Sequence, residues 1–192
     1  QVVILDDLST GTFNSSLDKN IEFIQGNILD QDIVKKVFRN IEGCFHLAAV
    51  ASVQESINNW HYSHQVNLTG TINIFLQASK QNIPVVYASS AAVYGKISDF
   101  PLQENGKVSP LSPYAADKYA CELQAKAFGE VKSLKSCGLR FFNVYGTGQP
   151  KNSDYSGVIS IFREQVKDGK ELVIFGDGNQ SRDFIHVSDV TN

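Results

Sequence analysis

Five short apolar runs alternate with segments of helical periodicity along residues 1–142. The runs stand at residues 2–5, 21–24, 44–49, 84–88 and 138–142. Continuous apolar runs of this length indicate strands that are buried on both faces, as in a parallel sheet. Helices are predicted over residues 30–39, 62–81 and 112–128, the last with Ser112 as N-cap and Pro113 at its first position. The alternation predicts an α/β fold, a Rossmann-type doubly wound parallel sheet.

The alternation stops near Gly148. A polar loop over residues 149–156 leads to a predicted helix at 158–167, a strand at 172–175 and a turn at Asp177-Gly178. We therefore predict a first domain over residues 1–146 and the beginning of a smaller C-terminal domain over residues 147–192. The sequence opens within a predicted strand and contains no methionine, so we expect it to be a piece of a longer protein.

Charge and cysteine content exclude several classes of partner. The net charge is -3 and there is no basic run, which argues against nucleic acid and anionic membranes as main partners. No apolar stretch approaches the roughly 18 residues that span a bilayer. The three cysteines, Cys44, Cys121 and Cys137, stand at unrelated spacings and predict neither a disulfide framework nor a zinc site. A reducing cytoplasm is the expected location, and no metal is expected.

Two predicted strand ends carry residues suited to a dinucleotide, because ligands of open α/β sheets bind at the carboxyl ends of the strands. Asp6 follows the first run, where an acidic side chain accepts hydrogen bonds from ribose hydroxyls and repels a 2′-phosphate. Asn27 would bond the adenine amino group, and Ile28 would pack on the ring. A solvated turn and an ordinary loop are the alternatives for these residues. The glycine-rich phosphate loop that normally precedes Asp6 is not in this sequence.

The third strand ends in small residues that let a dinucleotide approach the backbone closely, namely Leu47, Ala48 and Ala49. His46, directly before them, has no partner at metal-ligand spacing. We interpret it as a packed histidine.

A tyrosine and a lysine four residues apart, Tyr114 and Lys118, open the helix predicted at 112–128. Residues at this spacing share one face of a helix. The ammonium group is therefore expected to favour the phenolate and to lower the pKa of Tyr114 from its ordinary value of about 10. Ser90, at the end of the fourth strand, would hydrogen-bond the same substrate hydroxyl and hold it in line. Such a tyrosine–lysine pair is common by chance, and its position after a strand that ends in serines gives it weight.

Four segments together resemble the extended short-chain dehydrogenases/reductases of the NAD-dependent epimerase/dehydratase family, most closely the UDP-hexose 4-epimerases. They are Ser-Ser-Ala-Ala-Val-Tyr-Gly at 89–95, Tyr-x-x-x-Lys at 114–118, Leu-Arg-Phe-Phe-Asn-Val-Tyr-Gly at 139–146, and Gly-Asp-Gly at 176–178 with Ser-Arg-Asp-Phe-Ile-His-Val at 181–187. The resemblance covers essentially the whole chain. It implies that residues 147–192 begin a substrate-binding domain.

The resemblance implies a set of roles. Ser90, Tyr114 and Lys118 would be catalytic, with Lys118 also binding the nicotinamide ribose. Ser90, Asn143 and Arg182 would bind the substrate. Asn143 and Arg182 would contact its diphosphate, and a planar guanidinium suits phosphate. A cap for Asn143 and a surface salt bridge for Arg182 are the alternatives. The implied NAD contacts are Asp6, Asn27, Ile28, Leu47, Ala48, Ala49, Ser89, Tyr114, Lys118 and Phe141.

The implied reaction is a transient oxidation of a UDP-sugar. Tyr114 would take the proton of the C4 hydroxyl while a hydride passes to NAD, and the hydride would return to the other face of the 4-keto sugar. The helices at 62–81 and 112–128 would pair across a two-fold axis in a homodimer. Two departures affect the nucleotide contacts: many close relatives carry lysine at the position of Ala51 and aspartate at that of Asn27.

Two alternative functions remain open. Dehydratases and decarboxylases share this family, but dehydratases carry acidic residues directly after the catalytic serine or threonine. Here those positions are Ala91 and Ala92, which cannot transfer protons, and this favours epimerisation. A non-catalytic NAD-binding module is the other alternative, because a fold alone does not establish an activity. The intact set of Ser90, Tyr114 and Lys118 argues against it.

Overall fold

A computed structural model describes residues 1–11, 13, 20–96, 100–149 and 157–192. The chain divides into two compact units, Gln1–Arg140 and Phe141–Asn192. The domain boundary at residue 146 stays a prediction. Most of the predicted polar loop, residues 150–156, lies outside the described residues.

The first unit contains parallel strands that alternate with helices. Strand β1 (Val2–Asp6) pairs in parallel with β2 (Ile21–Gln25), and β3 (Cys44–His46) pairs in parallel with β4 (Val85–Ser90). Strand β5 (Ser136–Phe141) lies beside β4 and ends at the boundary between the units. The Rossmann-type α/β fold predicted from the apolar runs is confirmed. Strand β3 is shorter than predicted, so residues 47–49 form a loop at its carboxyl end.

The helices of the first unit are α1 (Gln31–Val37), α2 (Val53–Asn58), α3 (Trp60–His64), α4 (Thr71–Gln81) and α5 (Pro113–Lys132). A π-helical turn (Gln65–Gly70) joins α3 to α4, and a 3₁₀ turn (Ala91–Tyr94) follows β4. The helix predicted at 62–81 is therefore three successive segments. The sequence pattern did not reveal the π-helical turn between α3 and α4. The spacing of apolar residues in a π-helix differs from that in an α-helix by only about one residue per turn. Helix α2 was not predicted.

The hydrophobic core lies where α1, α4 and α5 cover the sheet. Phe75 of α4 is fully buried and makes edge contacts with the rings of Tyr87 and Phe128, at centroid distances of 5.4 and 5.8 Å. Val34 of α1 and Val85 of β4 are each only 1% exposed. This packing holds α4 against β4 and against the later part of α5.

The second unit contains a small parallel pair of strands, β6 (Asn143–Tyr145) and β7 (Phe184–His186), with α6 (Val158–Lys167) and α7 (Val187–Thr191). The strand predicted at 172–175 is wrong. Within the described part of the chain no strand pairs with it, and Phe175 is 85% exposed. A strand requires a hydrogen-bonding partner, so β-branched composition alone does not create one. The turn predicted at Asp177-Gly178 is confirmed, since the chain bends at residues 176–178 and the Asp177 carboxylate accepts a hydrogen bond from the backbone N–H of Asn179 at 3.0 Å.

Across the described residues, none of the helices has the length and apolarity needed to cross a membrane.

Candidate active site

Ser90 is the last residue of β4 and begins the 3₁₀ turn that follows. Its Oγ accepts a hydrogen bond from the backbone N–H of Ala92 at 3.1 Å. The turn ends at Gly95, whose φ is +69° and whose position admits no Cβ, because that atom would overlap the carbonyl oxygen of Ser109. Glycine at this position therefore allows residues 91–95 to fold back tightly. Because Ser90 Oγ acts as the acceptor from Ala92, its own proton can still be donated to another group.

Tyr114 lies in the first turn of α5, at the position set by the N-cap. Ser112 accepts a hydrogen bond from the N–H of Ala115 at 3.1 Å, and Pro113 is the first helical residue, so the predicted cap is confirmed. The N–H of Tyr114 donates to Ser56 Oγ of α2 at 3.2 Å. The start of α5 is therefore held both by its own cap and by a neighbouring helix.

Lys118 lies one helical turn beyond Tyr114, as the spacing predicted. Its Nζ is 5.8 Å from the centroid of the Tyr114 ring and donates a hydrogen bond to the carbonyl oxygen of Ala88 at 2.8 Å. The side chain is only 5% exposed. The ammonium group is therefore fixed between the end of β4 and the catalytic candidate Tyr114.

The pKa of Tyr114 departs from expectation. Burial of the phenol raises its pKa above the ordinary value of 10, and the hydrogen bond from Ser90 lowers it by less. The sequence predicted that Lys118 would lower the pKa of Tyr114 toward neutrality. In the protein without a bound ligand this prediction is wrong. The physical reason is that Nζ is bonded to the Ala88 carbonyl beside the ring, while the phenol itself is desolvated.

His46 is a packed histidine, as interpreted from the sequence. Its Nε2 lies 2.8 Å from Thr71 Oγ1, and the residue is 7% exposed. Burial, together with the charge of Lys118, lowers the pKa of His46 to about 3, so the imidazole is neutral. Within the described residues, no group of three potential metal-ligating side chains comes together.

Ser89 belongs to a network that the sequence did not reveal. Its hydroxyl donates to the Glu122 carboxylate, which also accepts two hydrogen bonds from Arg140, at 2.8 Å from Nε and 2.7 Å from Nη2. The guanidinium carbon is 4.8 Å from the centroid of the Tyr94 ring. These contacts join β4, the 3₁₀ turn, α5 and β5. Because the Ser89 hydroxyl is already bonded to Glu122, the predicted contact of Ser89 with NAD would use its backbone.

The predicted adenosine contacts lie at the ends of β1 and β2. Asp6 is exposed, with Oδ1 accepting from the N–H of Leu8 at 2.7 Å. Asn27 Oδ1 accepts from the N–H of Leu29 at 2.9 Å, and its Nδ2 donates to Asp7 at 2.9 Å. One lone pair of the Asn27 oxygen predicted to bind adenine is therefore already used by the turn.

Ile28 is 6% exposed and packs in the core. A Cβ on Gly70 would come within 2.5 Å of its Cδ1. This corrects the expectation that the side chain of Ile28 lies open to an adenine ring.

The loop after β3 is held by one buried side chain. Asn67, 1% exposed in the π-helical turn, accepts from the N–H of Val50 at 2.8 Å and donates to its carbonyl oxygen at 3.1 Å. Leu47 and Ala48 remain exposed beside it. The sequence prediction missed Asn67 because nothing in its local pattern distinguishes a buried amide from an exposed helical one.

These strand ends fit a dinucleotide. The exposed carboxylate of Asp6 retains acceptor capacity for ribose hydroxyls, and the loop at 47–49 presents small side chains and backbone. The buried ammonium of Lys118 lies beside the phenol of Tyr114.

The remaining predicted contacts lie in the second unit. Asn143 begins β6, and its Nδ2 donates to the Asp183 carbonyl oxygen at 2.8 Å. Arg182 is exposed, and its Nη1 donates to the carbonyl oxygen of Ser181 at 2.8 Å. Phe141 is half-buried at the end of β5. Their predicted roles stay predictions.

A parallel α/β unit with serine, tyrosine and lysine at the carboxyl end of β4 defines a dinucleotide-binding domain of the short-chain dehydrogenase type. The model of the NAD dependent epimerase/dehydratase family matches residues 1–192, and the chain belongs to this family. NAD is therefore the cofactor of the family to which the chain belongs.

Similar proteins of known sequence and structure agree with this membership. A putative UDP-glucose 4-epimerase of Methanocaldococcus jannaschii is 40% identical, over 98% of this chain and 62% of its own length. The solved UDP-N-acetylglucosamine 4-epimerase of Methanobrevibacter ruminantium M1, in complex with UDP-N-acetylmuramic acid, is 39% identical with a TM-score of 0.93, over 98% of this chain and 62% of that one. The UDP-glucose 4-epimerase of Thermus thermophilus, in complex with NAD, is 32% identical with a TM-score of 0.88, over 99% of this chain and 64% of that one. The chain thus spans less than two thirds of the length of these relatives.

Proposed function

We propose that the complete protein is an NAD-dependent nucleotide-sugar epimerase that acts at C4 of a UDP-hexose. One observation carries the proposal: Ser90, Tyr114 and Lys118 lie together where β4 meets α5, and alanines follow Ser90 directly. The names of the relatives support a nucleotide-sugar substrate.

In the proposed mechanism, Tyr114 accepts the proton of the C4 hydroxyl and later returns it. Ser90 holds the phenol by a hydrogen bond that favours its deprotonation. When bound, NAD supplies the acceptor for the C4 hydride, a positive charge near the phenol, and the return of the hydride to the other face of the transient 4-keto sugar. Lys118 keeps a positive charge beside the phenol ring. Its Nζ would also hold the nicotinamide ribose when NAD is bound.

The remaining binding roles are proposed in the same way. Asp6 would accept hydrogen bonds from the adenosine ribose and repel a 2′-phosphate, which favours NAD over NADP. Asn27 would contribute its remaining lone pair. Asn143 and Arg182 would bind the substrate diphosphate. The remaining proposed NAD contacts are Leu47, Ala48, Ala49, Ser89 and Phe141.

The principal test is Tyr114→Phe in the complete protein. Since the phenol is the proposed base, turnover of UDP-glucose or UDP-N-acetylglucosamine should fall by about 10²–10⁴-fold, while NAD affinity measured by calorimetry stays close to wild type. Tyr62→Phe makes the same change on a half-exposed side chain of α3 and serves as the control. Turnover of Tyr114→Phe within a few-fold of wild type would refute the assignment.

A dehydratase of the same family would give a different product. Ala91 and Ala92 have no group that can protonate a leaving hydroxyl, so the proposed product has the mass of the substrate. Mass spectrometry of the product should show no loss of about 18 Da, the mass of one water, relative to the substrate. Such a loss would reassign the protein to the dehydratases.

We also propose a homodimer through α3, α4 and α5. Trp60 of α3 and Leu123 of α5 are 62% and 53% exposed, and Tyr119 and Ala127 add apolar surface to α5. Light scattering of the complete protein tests this, and a strict monomer would contradict it. A cytoplasmic location is proposed because all three cysteines are unpaired.

A further inference from the structure

Asp117 is a buried carboxylate on α5 that the proposed mechanism does not use. It is 6% exposed, and its Oδ1 lies 2.8 Å from Nδ1 of His64 on α3. Its Oδ2 is buried and has no hydrogen-bond partner within the described part of the chain. A buried carboxylate with an unpaired oxygen is destabilising unless a nearby positive charge offsets the loss of hydration.

His64 is exposed and contacts only Oδ1 of Asp117. The buried positive group next to Asp117 in the sequence is Lys118. Its ammonium is buried, and its hydrogen bond goes to the neutral carbonyl of Ala88 rather than to a carboxylate. Successive residues of a helix point about 100° apart, because a turn contains about 3.6 residues. The two side chains therefore do not face each other on the helix. Both are buried, and electrostatic effects in a low-dielectric interior are stronger than in water.

We propose that Asp117, anchored by His64, is a positioning residue that balances the buried charge of Lys118 and so keeps it available to Tyr114 and the nucleotide ribose. This inference rests on the proposed function. It adds a residue outside the set of Ser90, Tyr114 and Lys118.

The groups around the pair favour this role. Burial lowers the pKa of Lys118, and the charges of Cys121 and Asp117 raise it. Burial raises the pKa of Cys121, so near neutral pH it is an uncharged thiol, and its Sγ bonds the Asn67 carbonyl at 3.2 Å. From β3, His46 is neutral and adds no charge.

Glu122 lies one helical turn beyond Lys118 on the same face of α5, but its carboxylate is paired with Arg140. Among the described residues, Asp117 is therefore the neighbouring carboxylate that is not already paired with an arginine.

The sign of the effect follows from these contacts. Lys118 is active in its charged form, and the carboxylate raises its pKa. Removing the carboxylate lowers that pKa, so the charge is lost at a lower pH than in the wild-type protein. The pH above which turnover falls should therefore also be lower in the variant. The change should appear in kcat rather than in the KM of the sugar.

The experiment compares Asp117→Asn with Glu130→Gln in the complete protein. Both remove one negative charge from α5, but Glu130 is exposed. The titration of Lys118 is followed by NMR of ¹³Cε-labelled lysine, with the resonance assigned by Lys118→Arg. We expect a lower Lys118 midpoint in Asp117→Asn, no change in Glu130→Gln, and recovery in Asp117→Glu. If Asp117→Asn does not fold, Asp117→Ser removes the same charge with a smaller side chain.

An equal Lys118 midpoint in Asp117→Asn and Glu130→Gln would overturn the inference, even in a protein that epimerises UDP-sugars. A lower midpoint in Asp117→Asn, in a protein that epimerises no sugar, would overturn the proposed function and leave the pairing of Asp117 with Lys118 supported.

Discussion

Replacing Arg140 by methionine should destabilise the protein strongly, because it breaks the hydrogen-bond network that joins β4, α5 and β5. Arg140 makes a bidentate pair with Glu122, and its Nη1 donates to the carbonyl oxygen of Glu104 at 2.8 Å. The side chains of the pair are 20% and 17% exposed. Methionine keeps the length of the side chain and much of its contact with Tyr94 but supplies no donor.

The expected loss follows from that burial. Removing one member of a fully buried ion pair costs about 3–5 kcal/mol, since the other charge is left without compensation. Partial exposure reduces this, so about 2–3 kcal/mol is expected for Arg140→Met. For an unfolding unit of about 150–250 residues, this corresponds to a fall in Tm of roughly 4–12 °C.

The loss should depend on pH in a defined direction. Burial raises the pKa of Glu122, but the hydrogen bonds from Arg140 and Ser89 outweigh it, and the net pKa lies below the ordinary value of 4.5. A carboxyl whose folded pKa is depressed contributes stability that is fully present above its unfolded pKa. The contribution is lost as the pH falls through the folded pKa. The difference in Tm between wild type and Arg140→Met should therefore be largest near neutral pH and shrink below about 4.5.

The assay is thermal unfolding followed by circular dichroism, between acid and neutral pH. It compares wild type, Arg140→Met, Glu122→Gln and the double variant. Because the two side chains act as one pair, the double variant should lose less than the sum of the single variants. Arg39→Met, on an exposed side chain at the end of α1, is the control. Additive losses, or an Arg140→Met protein as stable at neutral pH as the control, would refute the reasoning.

Three further predictions follow from contacts of the site. Ser90→Ala removes the hydrogen bond that lowers the pKa of Tyr114, so ultraviolet difference spectroscopy should show that the phenol ionises at a higher pH than in wild type. Asn67→Ala removes both bonds to Val50, each worth about 0.5–1.5 kcal/mol, and calorimetry should show a fall in NAD affinity of roughly 10-fold. Gly95→Ala places a Cβ against a facing carbonyl oxygen at φ +69° and should lower stability to denaturant by about 2 kcal/mol or more.

Each of these has a contrary result. An unchanged or lower phenol pKa in Ser90→Ala would mean that the serine does not stabilise the phenolate. Wild-type NAD affinity in Asn67→Ala would show that the loop after β3 keeps its conformation without the amide. A Gly95→Ala protein of wild-type stability would show that the turn after β4 relaxes at little cost.

Local sequence determined the elements that depend on near neighbours. The apolar runs predicted β1, β2, β4 and β5 to within a few residues, because short apolar runs rich in β-branched residues favour strands. They did not predict burial, since the first four residues of β5 are exposed. Ser112 and Pro113 predicted the start of α5, since a cap acts within one helical turn. The spacing of Tyr114 and Lys118 placed them on one face for the same reason.

Only the tertiary structure decided the contacts between segments distant in the sequence. Asn67 reaches Val50 across 17 residues, and Asp117 reaches His64 across 53. Such pairs form when packing brings two helices or a helix and a loop together, and no local periodicity encodes them. Packing also buried Ile28 in the core and left residues 172–175 outside any strand among those described. Burial raised the pKa of Tyr114, whereas the sequence showed a lysine nearby and predicted the opposite. Desolvation depends on everything packed around a group, so the fold set the ionisation of this site.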